Sequence, residues 1–274
     1  MTFSIVARQG SSFGVAVASK FLAVGAVVPA AVNGVGAVAT QASARVAYLD
    51  ELVEVLRSGA AADDALESAT RPDGESATRQ LGVVGVSSAA TFTGAECIPW
   101  AGGVAHDEGE SAYAIQGNIL TGPEVVAAME ASWRGSAGRP FAQRLLAALV
   151  AGDDAGGDSR GRQSAAMYAV EPGAGYDACG VLADLRVDDH GDPVGELGRL
   201  LSDWEMYFGR PEDVQALEGP LAEEVRGLLA GTGFASDDLA AALADWAGQV
   251  NYEARLTPDG VDARVLEALR ATRR

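Results

Sequence analysis

Apolar residues open the chain in two short runs, 2–8 (TFSIVAR) and 13–19 (FGVAVAS), separated by Gln9, Gly10, Ser11 and Ser12. Runs of this length, rich in β-formers and divided by a glycine-bearing loop, predict a β-hairpin that begins almost at residue 1. A third run, 35–41 (VGAVATQ), follows Asn33 and Gly34 and predicts a buried strand. The period then lengthens. Leu49, Leu52, Val53 and Leu56 recur at helical spacing within 46–58, which stops at Gly59, and a second short helix fits 61–69, ended by Arg71 and Pro72. Strand character returns at 80–87, 90–93 and 111–117. Thr121, Gly122, Pro123 and Glu124 have the form of a capping box before a helix over 122–133, and 141–150 predicts another that ends at Gly152. The segments 161–170 and 180–187 read as closing strands. Asp192 and Pro193 then open a helix carrying Leu197, Leu200, Leu201 and Trp204, with further helical patterns at 219–230, 236–247 and 260–272.

Strands, helices, strands, helices, strands is the order of a layered α+β protein, not of a doubly wound sheet. The change of texture beyond the last strand divides the chain into a domain over 1–205 and a helical appendage over 206–274. With 48% hydrophobic and 21% charged positions, the 274 residues carry enough apolar surface for one large and one small unit. Acidic residues outnumber basic ones 38 to 20, a net charge of −18. Such a surface repels phosphate backbones and anionic bilayers, which excludes nucleic acid and membrane as first-choice partners. No charged leader precedes an apolar stretch, and no run reaches the ~18 apolar residues of a membrane span, so a soluble cytoplasmic protein is expected. Cys97 and Cys179 are far apart and form no CxxC pair, as expected of reduced thiols. His106, Asp107 and Glu108, like Asp188, Asp189 and His190, are metal-ligand types without metal-ligand spacing, and neither a metal nor a cofactor is expected. Asp192 and Pro193 are accounted for as a helix cap and first helical residue.

Thr2 is the most informative residue. It is small enough to permit removal of the initiator methionine, which would leave a hydroxyl and a free α-amine on one residue. An amine with a pKa near ~8 can take the hydroxyl proton, so an N-terminal threonine supplies nucleophile and base together. That economy matters in a chain with two histidines. A threonine at position 2 is also common without any catalytic reason. Lys20, the only lysine, stands just beyond the second strand and is either an electrostatic helper to Thr2 or a solvated surface residue. Gln116, Gly117 and Asn118 end a strand, where an amide side chain and backbone N–H groups can line an oxyanion hole or simply make a turn. The loop Gly156, Gly157, Asp158, Ser159, Arg160, Gly161, Arg162, Gln163 offers arginines for a substrate carboxylate and Asp158 for an amine. It is equally readable as a surface turn with a local ion pair, and it lacks the Gly-Lys-Ser/Thr of a nucleotide loop. Cys97 reads as a small buried thiol, and Trp100 and Trp204 as packing anchors.

The segments MTFSIVAR, GVAVASKFLAVGAVVPAA, GVGAVATQ, WAG, QGNIL, AGGDSRGRQSAAM and DLRVDDHGDPVGELGRLL, in this order over residues 1–205, closely resemble the family called domain of unknown function 1028. The resemblance implies a relationship to the N-terminal-nucleophile hydrolases and a four-layer αββα sandwich. It assigns no substrate. The tail beyond residue 205, including Trp246 to Asn251, resembles a helical module described as peptidoglycan-binding. Two segments depart from the family pattern. ASARVAY at 42–48 replaces an asparagine, proline and tyrosine-glycine stretch, and Gly103 stands where a histidine usually follows WAG. The expectation is a hydrolase of a C–N bond, amide or imide, in a small anionic metabolite. Thr2, Lys20 and Asn118 would be catalytic, and Gln116, Asp158, Arg162 and Gln163 would bind substrate. A homodimer is the expected assembly. The alternative is a catalytically silent relative that binds a partner, such as a glycan, through its C-terminal module.

Overall fold

Strands whose apolar residues run without alternation must be covered on both faces. The computed structural model, which describes residues 2–258 and 260–272, meets that demand with two antiparallel sheets flanked by helices. The strands are β1 (Thr2–Gln9), β2 (Ser12–Ser19), β3 (Pro29–Val32), β4 (Gly36–Ala42), β5 (Arg79–Gly85), β6 (Ala89–Thr93), β7 (Gly102–Asp107), β8 (Ser111–Asn118), β9 (Ser164–Val170) and β10 (Val181–Val187). Among the described residues there are eight α-helices: α1 (Ala47–Arg57), α2 (Ala62–Thr70), α3 (Glu124–Gly135), α4 (Phe141–Asp154), α5 (Pro193–Phe208), α6 (Gly219–Gly231), α7 (Leu239–Gln249) and α8 (Ala263–Ala271). None is long and apolar enough to cross a membrane.

The first sheet has the order β10-β9-β2-β1-β8-β7 and the second β3-β4-β5-β6. Their inner faces meet through Val6, Val15 and Val17 on one side and Ala37, Ala39 and Val84 on the other. The outer face of the second sheet is covered by α1 and α2, whose Tyr48, Leu52, Leu56 and Leu66 pack with Val38, Leu81 and Val83. The helices α3 and α4 pack on each other and on β1, β2 and β8. β1 lies at the centre of the first sheet, and its register sets Thr2 opposite Asn118 and Phe3 opposite both Ala18 and Gly117.

The structure adds two strands to those expected and moves some boundaries. β3 is short and begins at Pro29, a residue tolerated at the start of an edge strand. β7 is an edge strand rich in glycine, and its ladder with β8, from Gly102 opposite Gly117 to Asp107 opposite Ala112, overrides weak propensity. The expected capping box does not form. α3 starts at Glu124 without a side-chain cap, while the Thr121 amide donates to the Gly157 carbonyl at 3.1 Å. β9 begins at Ser164, so residues 161–163 belong to the preceding loop.

The chain divides into two compact units, one ending at Leu201 and one beginning at Ser202. The second has its own core, built from Val225, Leu228, Leu243, Trp246, Val265 and Leu269. Arg255 and Asp262 form an ion pair at 2.9 Å with both side chains fully buried. The Asp262 carboxylate also accepts from the amides of Glu212, Arg264 and Val265, capping α8. In the first unit, Asp73 accepts from the Tyr48 hydroxyl at 2.6 Å, from the Glu75 amide and from Arg79. These donors hold its carboxyl down at about 2, and burial together with the carboxylate pushes the Tyr48 hydroxyl up to about 12.

Asp262→Ala leaves a buried guanidinium without its partner, so the second unit should lose about 3–5 kcal/mol, read as faster hydrogen exchange at the amides of α6 to α8. The stabilisation from ionised Asp73 is complete above the ordinary carboxylate pKa of about 4 and is lost as pH falls toward 2. Carboxyl-detected NMR should show this group titrating below the exposed aspartates, and Tyr48→Phe should move it back up.

Candidate active site

Polar side chains interrupt the apolar strands at positions that all face the gap between the sheets: Ser4 in β1, Gln41 in β4, Gln80 in β5, Gln116 and Asn118 in β8. All five are at most 1% exposed. A buried amide without partners costs several kcal/mol, so such groups are stable only when paired. Gln80 Nε2 donates to the carbonyls of Gly117 (2.7 Å) and Gly102 (3.3 Å) and to Thr93 Oγ1 (3.0 Å). Carbonyls only accept, so this end of the amide must be nitrogen. Its Oε1 therefore receives Gln41 Nε2 at 2.8 Å and Asn118 Nδ2 at 2.9 Å. Gln41 Oε1 in turn accepts from the Ser4 hydroxyl at 2.7 Å, and Ser4 Oγ accepts from Gln116 Nε2 at 2.6 Å. Two backbone carbonyls thus set the direction of the whole chain of bonds. The seam is closely packed: a Cβ at Gly82 would collide with the Gln116 amide, and one at Gly103 would press on Thr91 Oγ1 and the Ile115 carbonyl.

Thr2 sits at the end of this seam. Gln41 Nε2 donates to its carbonyl at 3.3 Å, and its Oγ1 lies 3.1 Å from Ser19 Oγ. Thr2 is 5% exposed. The condition of Met1, on which a free α-amine at Thr2 turns, lies outside the described residues. Just past Asn118 the chain bends at Ile119, with φ 50°. A β-branched residue in the left-handed region is strained, and such outliers gather at functional sites. The bend is held by Ile119 N to the Ile98 carbonyl (2.9 Å) and Ser159 N to the Ile119 carbonyl (3.1 Å).

A cleft of about 430 Å³ is lined by Phe3, Ser19, Asp153, Asp154, Asp158 and Arg162; Thr2 is not in its lining, and the Phe3 ring, packed by Gly152 and Gly157, lies on the face of β1 opposite the Thr2 hydroxyl. The Asp158 carboxylate, expected to orient a substrate amine, is 2% exposed and accepts from the amides of Lys20 (2.8 Å) and Arg160 (2.9 Å) and from the Arg160 guanidinium (3.2 Å). It fastens the loop to the end of β2. Arg162 donates through Nε to Asp153 at 2.9 Å, a bond that holds its guanidinium more firmly charged. The exposed Lys20 sends Nζ to the Arg162 carbonyl at 3.3 Å, so its bonds run to the loop and not to Thr2. The Gln163 carbonyl accepts from the His190 amide at 2.7 Å. Gln116 is enclosed in the seam, where it supports Ser4 and presents no surface to a ligand. Asn118 is next to Thr2 by register, but its Nδ2 is drawn inward by Gln80.

A second cleft, of about 480 Å³, is lined by Thr91, Thr93, Cys97 and the backbone of Gly102 and Gly103. The Cys97 thiol donates to the Arg79 carbonyl, and burial pushes its pKa up, which suits an unreactive thiol. His106 is half exposed, 3.7 Å from Glu130, and His190 is exposed and bonded to Asp192. Among the described residues no group of three or more His, Cys, Asp and Glu is arranged to hold a metal ion. Ser4, Ser19, Gln41 and Gln80 were not foreseen as site residues. Their signal is a lone amide or hydroxyl inside an apolar strand run.

Residues 2–197 match the profile of a family described as "Family of unknown function (DUF1028)". The chain is also similar to a protein of known crystal structure assigned to that family, SPO2555 from Silicibacter pomeroyi. They share 30% identity with a TM-score of 0.66, over 81% of this chain and 92% of that one. No curated protein matches.

Gln80→Leu removes the acceptor of the Asn118 amide and the side-chain donor to the Gly117 and Gly102 carbonyls, while Gln41 Nε2 keeps the carbonyls of Thr2 and Gln116, at about 1–3 kcal/mol for each group left without a partner. Thr91→Val, which removes one hydroxyl shared between the Leu81 carbonyl and Gln116 Oε1 at the outside of the seam, should cost only about 0.5–1.5 kcal/mol, and urea denaturation of the two variants measures the contrast.

Proposed function

The chain belongs to the DUF1028 family, and we propose that it is an N-terminal-nucleophile hydrolase, with the αββα sandwich of that superfamily, cleaving an amide or imide C–N bond of a small molecule through Thr2. One observation carries this reading. Thr2 heads the central, doubly covered strand, its hydroxyl hydrogen-bonded to Ser19 and its backbone opposite Asn118 in register.

Removal of Met1 would free the Thr2 α-amine. The amine takes the proton of Oγ1 as Oγ1 attacks the substrate carbonyl carbon, giving a tetrahedral oxyanion. Collapse breaks the C–N bond, the proton passes to the departing nitrogen, and an ester to Thr2 remains. Water, deprotonated by the same amine, then hydrolyses the ester and restores the hydroxyl. Ser19 orients Oγ1, and Gln41 fixes the Thr2 peptide through its carbonyl. Asn118, held by Gln80 and opposite Thr2 in register, is the side-chain amide assigned to the oxyanion in this reading. Lys20 contributes positive charge at the rim and Asp158 shapes the cleft, each without touching the reacting atoms.

The silent-relative reading draws on a different observation, the low exposure of Thr2 together with the inward-turned Asn118 amide. A β-lactone probe separates the two. Mass spectrometry of the purified chain should find Met1 absent and one adduct on Thr2, and Thr2→Ala should abolish the adduct without loss of stability. Retained Met1, or a native Thr2 inert to the probe, would sink the hydrolase reading and favour a binding protein.

A further inference from the structure

We propose that the free edge of β7 pairs with the same edge of a second copy of this chain, joining the two first sheets into one continuous sheet about a two-fold axis at Ala105. This contact is independent of the chemistry at Thr2.

The facing of the β7 backbone follows from the turn that joins it to β8. The Glu108 amide donates to the Ser111 carbonyl at 2.8 Å, so the ladder opens on a bonded pair. Antiparallel pairs alternate between bonded and non-bonded, which makes His106, Val104 and Gly102 the residues bonded to β8. The Gly10 amide, 2.8 Å from the Glu110 carbonyl, sets the complementary alternation on the β1 side of β8. Gly103, Ala105 and Asp107 therefore turn their amides and carbonyls away from the sheet. Among the described residues no backbone group bonds to them, and Gly103 is exposed. A row of alternating donors and acceptors is matched by another extended backbone.

The other sheet edges are blunted. β3 is short and begins with Pro29, β6 is also short, and β10 has a register shift between Val181 and Ala183 and exposed charges at Asp184 and Arg186. β7 keeps an unbroken register from Gly102 to Asp107 and contains no proline, lysine or arginine.

Charge and size select the chain's own copy as the occupant. Two chains of net charge −18 repel each other, and they approach most easily where the local charges are already answered. Asp107 meets the buried Arg8 at 3.3 Å, Glu108 meets Arg134 at 3.2 Å, and His106 lies 3.7 Å from Glu130. A cationic peptide would find no unpaired carboxylate along this strand. In the two-fold register Ala105 faces the partner's Ala105 and Gly103 faces the partner's Asp107, so no like charges stand opposite one another. Toward the gap between the sheets Gly103 and Ala105 present at most a methyl group, which lets the two backbones approach. Each facing pair exchanges two bonds, about six in all. A single strand pair covers less than the ~1,200 Å² of a stable complex, which places the dimer in the micromolar range.

Sedimentation velocity of the full chain between about 1 and about 500 µM should show a monomer passing to a dimer, more readily as salt screens the general repulsion. Ala105→Pro removes an outward amide and spares the bonds to β8, so it should weaken the dimer at least about tenfold while the monomer keeps its thermal unfolding. Hydrogen exchange of the wild type, read by NMR, needs no variant: the amides of Gly103, Ala105 and Asp107 should slow as concentration rises, while those of Gly102, Val104 and His106 are slow throughout. If Ala105→Pro fails to fold, this exchange pattern decides. A chain still monomeric at the highest concentration, a dimer that dissociates as salt rises, a folded Ala105→Pro variant that dimerises like the wild type, or a dimer in which the three outward amides exchange as in the monomer overturns the proposal.

Discussion

The first unit depends on a single constraint: five polar side chains lie between two sheets, where no water is needed to satisfy them. The direction of their bonds is dictated by the carbonyls of Gly102 and Gly117, which accept from Gln80 and so fix which end of every following amide is nitrogen. The same pairing locks the sheets in place. A one-residue slip of any strand would turn its glutamine or serine to the opposite face, away from its partners and into an apolar layer. Small residues opposite the amides, Gly82 and Gly103, leave the room the seam requires. The register that results brings Thr2, Ser19 and Asn118 together at one end of the central strands.

What surrounds that end is strapped to it by backbone and charge. Ile119 turns the chain out of β8 in a strained conformation, and bonds from Ile119, Leu120 and Thr121 reach the 98–100 and 157–159 segments. Asp158 then ties the loop to the first residue after β2. The cleft is in this way framed by the same strand ends that hold Thr2, so its shape and the position of the hydroxyl are coupled through a few short connections.

Much of the fold was legible in the sequence because both sheets are covered, and covered strands write their apolar residues as unbroken runs. β1, β2, β4, β5 and β8 are of this kind. β7 was hidden because Gly102, Gly103, His106 and Asp107 carry no strand signal, and only the ladder with β8 makes them a strand. At the site, the segments were legible but the roles were not. Gln116, Asp158 and Arg162 stood out as polar residues in telling places, yet a sequence does not say which polar group will take up another: Asp158 is held by backbone amides, Arg162 by Asp153, and Gln116 by Ser4. The glutamines at 41 and 80 carry no signal of their own because each is isolated in its own run, and their meaning comes from facing each other on neighbouring strands of the second sheet, 39 residues apart in sequence, with partners in the first.

The scarcity of lysine has a practical consequence. Lys20 is the sole lysine of the chain, it is exposed, and it stands at the rim of the cleft with its ammonium on the Arg162 carbonyl. A reagent selective for side-chain amines can therefore mark one place in the whole molecule. A fluorophore carried there would register what enters or leaves that cleft while the residues inside keep their native chemistry, giving the protein a built-in attachment point for following occupancy in real time.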